Sequence, residues 1–89
     1  MTRKEAIDEI VRYLSKTNPV LNTLKDLPLD QSLYDLGYLD SMGVLEMVAF
    51  IESRWAIHIE TSEVTWENFG SMNRMAQLIL KKTEHQEFF

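Results

Sequence analysis

The chain has no cysteine. That absence removes thiolate metal centres, dithiol redox chemistry and disulfide-stapled scaffolds together, and a reducing cytoplasmic compartment is the simplest setting for it. Glycine is scarce at three residues and proline at two, which favours helices over a many-stranded sheet, whose turns draw on both. No stretch reaches the roughly eighteen consecutive apolar residues of a membrane span. The N-terminus, M-T-R-K-E-A-I-D-E-I, mixes charge into an amphipathic pattern where a signal peptide would carry a basic start and an apolar run. Basic residues are also few, nine against fourteen acidic in 89 residues, for a net charge of −5. Such a surface repels phosphate backbones and anionic lipid and attracts basic protein surfaces, so nucleic acid is not an expected partner.

Catalytic groups are equally sparse. The only imidazoles are His58 and His85, one in a short semi-apolar stretch and one in the tail, neither at the spacing of a triad or a metal site. Ser41 sits among small residues, but position 39 is Leu39, so the G-x-S-x-G elbow fails, and that elbow needs a strand–turn–helix in a much larger sheet. Carboxylates are plentiful, yet a chain of this size leaves little room for the dry cleft that acid–base chemistry requires. The expectation is a protein that is not an enzyme.

Helical periodicity is what the sequence does have. From Thr2 to about Lys16, Ala6, Ile7, Ile10, Val11 and Leu14 recur at helical spacing, with Thr2 and Glu5 placed as a capping box. Asn18-Pro19 stops this helix, because the residue before proline is driven out of the α region. Pro19 to Asp40 is a long connection holding leucines at 21, 24, 27, 29, 33, 36 and 39, expected to pack onto the core. Ser41 to about Trp55 is the most apolar helix, with Val44, Leu45, Val48, Ile51 and Trp55 inward and Met47 and Phe50 widening the stripe. A-I-H-I-E alternates briefly. Thr65 to Phe69 allows one short helical turn before Gly70, and Ser71 is placed to cap a last helix with Met72, Met75, Ala76 and Ile79 inward. The methionines read as flexible core filler and Trp55 and Trp66 as core or core-edge aromatics. The predicted fold is all-α: a small four-helix bundle with three main helices, a short third one and a long first loop. It forms a single domain over residues 1–89, with a core at 4–82 and a frayed tail at 83–89.

One window carries more than periodicity. In "LYDLGYLDSMGVLEMVAFIE" Gly37 precedes Asp40-Ser41 by two residues, at the start of the second helix. This resembles the modification site of the acyl and peptidyl carrier protein family, whose hallmark is Gly, two variable residues and Asp-Ser-Leu. Met42 stands where leucine is usual, an isosteric exchange expected to pack beneath the site. The order of helices before and after the motif fits the family over residues 4–82, and Asp-Ser-x-Gly, with Gly43, looks particularly like stand-alone carriers of D-alanyl, polyketide or nonribosomal peptide type.

The resemblance implies that the Ser41 hydroxyl is esterified by 4′-phosphopantetheine, delivered from coenzyme A by a phosphopantetheinyl transferase, and that the thiol of this cofactor carries cargo as a thioester. Asp40 is then expected to help the transferase and its magnesium ion, as well as to cap the helix. Gly37 is expected to supply a positive φ for the turn into the helix, and Gly43 to keep the first turn uncrowded. Tyr38, Met42, Glu46 and Glu52 are the candidate partner contacts, the acidic ones for steering and the apolar ones for the contact itself. The implied partners are the transferase, a loading ligase, adenylating enzyme or acyltransferase, and downstream biosynthetic enzymes; a shuttle that must leave each of them is expected to be a monomer. Fatty-acid carriers have a more densely acidic second helix than Asp40, Glu46 and Glu52 opposed by Arg54 provide, which turns the expectation toward a specialised polyketide or nonribosomal peptide pathway. The alternative is a helical adaptor for a partner helix, with Ser41 serving only as an N-cap.

Overall fold

The structure is a computed structural model that describes the backbone of residues 1–86 and the side chains through Glu84. It is an all-α bundle of four helices: α1 (Arg3–Ser15), α2 (Ser41–Trp55), the single-turn α3 (Trp66–Phe69) and α4 (Met72–Gln86). Two 3-10 turns that periodicity did not indicate, Pro19–Asn22 and Thr61–Glu63, break up the connections. The capping box is formed as expected: the Glu5 amide donates to Thr2 Oγ1 and the Thr2 amide to Glu5 Oε1, both at 3.2 Å. Helix α4 runs past Lys82, where its apolar period ends, to Gln86; positions 87–89 of the expected tail and the side chain of His85 lie outside the described residues.

Ala6, Ile7, Ile10 and Leu14 of α1 face Met72, Met75, Ala76, Leu78 and Ile79 of α4, and Phe69 of α3 closes the core from the side. Met47, Met72 and Met75 are fully buried, as filler should be. Helix α2 contributes a narrower stripe than its sequence promised: Val44, Met47 and Ile51 are buried, Val48 and Trp55 only half so, and Leu45 is 63 % exposed. Leu45 was expected inward. It lies one residue, about 100° of helix, from Val44, and a helix that is apolar nearly all round does not announce which arc will be covered. The seam between α1 and α2 is closed by an aromatic row, with Tyr13 stacked on Phe50 at 4.4 Å and Phe50 edge-on to Trp55 at 6.0 Å.

The long first loop is held down by its backbone as well as its leucines. Leu21, Leu33 and Leu39 are buried, whereas Leu24 and Leu36 stay exposed. The Leu33 amide donates to the Gly70 carbonyl at 3.1 Å and the Asn73 amide to the Leu29 carbonyl at 3.0 Å, pinning the loop to the corner between α3 and α4. Ser71 caps α4 as expected, accepting from the Arg74 amide at 3.2 Å. Gly70 has an ordinary φ of −72°, so its requirement is space: a Cβ there would lie 2.6 Å from the Trp66 carbonyl oxygen and 2.8 Å from the indole.

Alternation in A-I-H-I-E is real although no strand forms among the described residues: Ile57 and Ile59 are buried, His58 and Glu60 exposed. This segment is tied to α4 by Lys82, whose ammonium donates to the His58 carbonyl at 2.8 Å and to Glu63 Oε1 at 2.6 Å. The Lys82 hydrogen bond, then the Glu60 amide, hold the Glu63 carboxyl below its ordinary value of 4.5.

Two predictions follow from these contacts. Gly70→Ala should lower the unfolding free energy by about 1–3 kcal/mol through overpacking against a carbonyl that cannot move aside, measured by urea denaturation. Because the Glu63 carboxyl is depressed in the folded chain, its contribution is present above the ordinary carboxyl range and disappears as pH falls below it, from about pH 5 downward. The loss of stability over this range should be shallower in Glu63→Gln, as read from thermal midpoints at successive pH values.

Candidate functional site

The loop before α2 is shaped around one carbonyl. Leu33, buried and already bonded to Gly70, accepts from the amides of Tyr38 at 2.9 Å and Leu39 at 3.2 Å, while the Gly37 amide donates to the Tyr34 carbonyl at 3.1 Å. Closing so tight a turn needs a left-handed residue, and Gly37 supplies it at φ +80°. Nothing lies within 4 Å of where its Cβ would be, so conformation and not space selects glycine there. From the other side, Asn18 just past α1 donates its Nδ2 to the Tyr38 carbonyl at 3.2 Å and to the Leu14 carbonyl at 3.1 Å. The start of α2 is thus fixed to both α1 and α3.

Asp40 is the N-cap of α2. Its backbone is extended, its Oδ1 accepts from the Gly43 amide at 2.6 Å, and its carbonyl accepts from the Val44 amide at 2.8 Å. Ser41 is therefore the first helical residue and not the cap, which corrects the adaptor alternative's assignment of capping to Ser41. Its side chain is exposed, and its hydroxyl makes no hydrogen bond among the described residues. A Cβ at Gly43 would sit 3.1 Å from Asp40 Oδ1 and 3.3 Å from Leu39 Cδ1, so the space this glycine protects is that of the capping carboxylate. The exposed hydroxyl and the free N–H groups of the first turn share the positive end of the helix dipole, where an anion is favoured.

The flanking candidates divide. Met42 is 69 % exposed and does not pack beneath the site, contrary to expectation: as the second residue of the helix it points away from the stripe formed by Val44, Met47 and Ile51. Glu46 is exposed, and Tyr38 is half-buried against the core. Glu52 has a structural task instead: its Oε2 accepts from the Ile59 amide at 2.9 Å and lies 3.3 Å from His58 Nδ1, fastening the chain after α2. His58 is a surface residue between Glu52 and Glu60. Two apolar side chains that sequence reasoning placed in the core, Leu45 and the 40 %-exposed Leu36, join Met42 as uncovered surface on α2 and the loop before it.

A pocket of about 210 Å³ opens between α1 and α2 beside this turn, lined by Tyr13, Thr17, Tyr38, Leu39, Gly43 and Glu46 among others. Burial, and secondly the nearby Glu46 charge, raise the Tyr13 phenol above 10.0. A larger hollow of about 570 Å³, bounded by the segment after α2 and by α3 and α4, is lined by His58, Glu67, Arg74 and Lys81 and contains none of the expected site residues. Among the described residues no cluster of three or more His, Asp or Glu side chains is arranged to hold a metal ion, and no helix is long and apolar enough to cross a membrane.

No family model matches the chain. It is similar to D-alanyl carrier proteins: to that of Streptococcus suis at 33 % identity over 63 residues, covering 63 % of this chain and 80 % of the relative. The D-alanyl carrier protein of Streptococcus thermophilus is 35 % identical and that of Streptococcus equi subsp. zooepidemicus 37 %, each over 49 residues. In both of these the match covers 55 % of this chain, and the chain spans 62 % of the relative's length.

The division between cap and free hydroxyl is open to measurement. Asp40→Ala should lower the unfolding free energy by about 0.5–2 kcal/mol, while Ser41→Ala should stay within about 0.5 kcal/mol of wild type, as expected for an exposed group with no partner. Equilibrium urea unfolding of the two variants checks this, and a larger loss in Ser41→Ala would return the cap to the serine.

Proposed function

The chain belongs to the phosphopantetheine-type carrier protein family that includes the D-alanyl carrier proteins, and from that premise we propose that it is a discrete carrier. In this reading Ser41 is modified by 4′-phosphopantetheine, and the protein moves an aminoacyl or acyl thioester between separate enzymes. The observation that supports the reading is the exposed, unbonded Ser41 hydroxyl on the first turn of α2, directly after the capping Asp40.

These residues suit a phosphodiester. Ser41 Oγ forms the new bond to phosphorus as the bond to the nucleotide remainder of coenzyme A breaks, and the hydroxyl proton passes to a base on the transferase. The product anion stays at the positive end of α2, an interaction worth about 0.3–1 kcal/mol at an exposed site. Asp40 spends Oδ1 on the Gly43 amide, which leaves Oδ2 for the transferase and its magnesium ion. When bound, the cofactor supplies a thiol that the cysteine-free chain lacks. The protein itself performs no reaction and serves as the carrier.

Partners would meet the surface around this turn. Met42 and Leu45 offer exposed apolar contact on α2 and Glu46 an exposed carboxylate, while Tyr38 presents its half-buried edge. Glu52 is withdrawn from that surface by its bond to the Ile59 amide. The relatives' name supports an aminoacyl cargo and lends nothing to a polyketide or nonribosomal peptide pathway; the loading enzyme this reading calls for is an adenylating ligase. A helical adaptor would use the same exposed Met42 and Leu45 but gives the unbonded Ser41 hydroxyl no task.

Incubation with coenzyme A, magnesium and a broad-specificity phosphopantetheinyl transferase should add one phosphopantetheinyl mass to the intact wild-type protein and none to Ser41→Ala. A folded wild-type protein that gains no mass from a transferase active on a control carrier would reject the carrier reading.

A further inference from the structure

We infer that the pocket between α1 and α2 is a docking site for the aminoacyl end of the carried thioester, with Glu46 taking the cargo's ammonium group against the ring of Tyr13. This rests on the carrier reading and specifies where its cargo goes. Leu39 and Gly43, two residues to either side of Ser41, form part of the pocket wall. A flexible tether anchored at Ser41 Oγ therefore reaches the pocket by folding back over the first turn of α2.

The lining selects by charge and by size. Glu46 is an exposed carboxylate with no ion pair among the described residues. Beside it Tyr13 and Tyr38 bring aromatic surface with hydroxyls, and Thr17 a further hydroxyl. An amino group α to a thioester is an ammonium below about pH 7, and a carboxylate next to an aromatic face is a fitting receptor for that form. Lys16, which also lines the pocket, already shows the preference: its Nζ lies 5.8 Å from the Tyr13 ring centroid. That side chain is long and exposed, so it can swing aside for a competing cation. At about 210 Å³ the pocket is smaller than the roughly 300–1,000 Å³ that drug-sized ligands occupy. It suits a small aminoacyl group and has no room for a long acyl chain. A neutral acyl group of the same size would lack the charge that Glu46 recognises, so the pocket distinguishes aminoacyl from acyl cargo on the carrier itself.

The test compares two cargoes that differ only in the amino group. From coenzyme A analogues that carry D-alanyl or propionyl through a stable amide, the transferase moves the loaded phosphopantetheinyl arm to Ser41 of isotope-labelled protein and releases the nucleotide; mass spectrometry verifies each load, and backbone amide shifts are then recorded. The D-alanyl form should shift Tyr13, Thr17, Tyr38 and Glu46 relative to the propionyl form, and the difference should vanish in Glu46→Gln. Loaded proteins whose two spectra coincide around the pocket, or a difference that survives in Glu46→Gln, would overturn the docking site and leave the carrier reading standing. Failure of both analogues to attach to Ser41 would instead remove the carrier reading, and this inference with it.

Discussion

The fold and the site both depend on the main chain of Leu33. Its amide reaches the Gly70 carbonyl and its carbonyl receives the amides of Tyr38 and Leu39, so one residue joins the corner between α3 and α4 to the turn that starts α2. A connection as long as the one from Pro19 to Asp40 would otherwise carry a large cost in chain entropy. It is offset by fastening the loop at a few points: the buried side chains of Leu21, Leu33 and Leu39, the Leu29–Asn73 backbone bond, and the 2.8 Å bond from Asn73 Nδ2 to Asp30. Gly70 and Gly37 serve this arrangement for different reasons. Gly70 lets the backbone pass close against Trp66 at the point where its carbonyl meets the Leu33 amide, and Gly37, four residues after Leu33, reverses the chain ahead of α2.

With the loop fixed, α2 needs little burial of its own. Three residues anchor it fully, and an aromatic row seals it against α1. Val48 is half-covered, and Met42 and Leu45 are left uncovered. Burying a side chain such as Leu45 or Met42 in a complex is worth about 1.5–3 kcal/mol. Two such contacts give a useful but releasable association once the cost of immobilising the partners is subtracted. A carrier that must leave one enzyme for the next is served by that balance, and a larger covered face would work against it.

What could be read from sequence was what depends on neighbours along the chain. The inward face of α1, the Thr2–Glu5 capping box, the Ser71 cap, the positive φ of Gly37 and the alternation around His58 all follow from spacings of a few residues, and the structure has them. What could not be read depends on distant partners. The bond from Glu52 to the Ile59 amide turns a surface acid into a strut, and Lys82 reaches Glu63 across nineteen positions. Which side of α2 is covered is set by α1 and α4, so Leu45 and Met42 could not be assigned from a helix that is apolar nearly all round. The Tyr13–Glu46 pocket likewise exists only once α1 and α2 are side by side.

The order Asp-Ser at the start of α2 has a physical logic that either residue alone would not reveal. A serine at the N-cap would commit its hydroxyl to a backbone amide of the first turn. Placing aspartate at that position moves the capping duty back by one residue and leaves Ser41 inside the first turn, still at the positive end of the helix but with its oxygen unclaimed. Gly43 completes the arrangement, because its amide is the one that Asp40 holds and a side chain there would press on the carboxylate. The cap, the glycine and the free hydroxyl are therefore one device: the first two satisfy the helix so that the third need not.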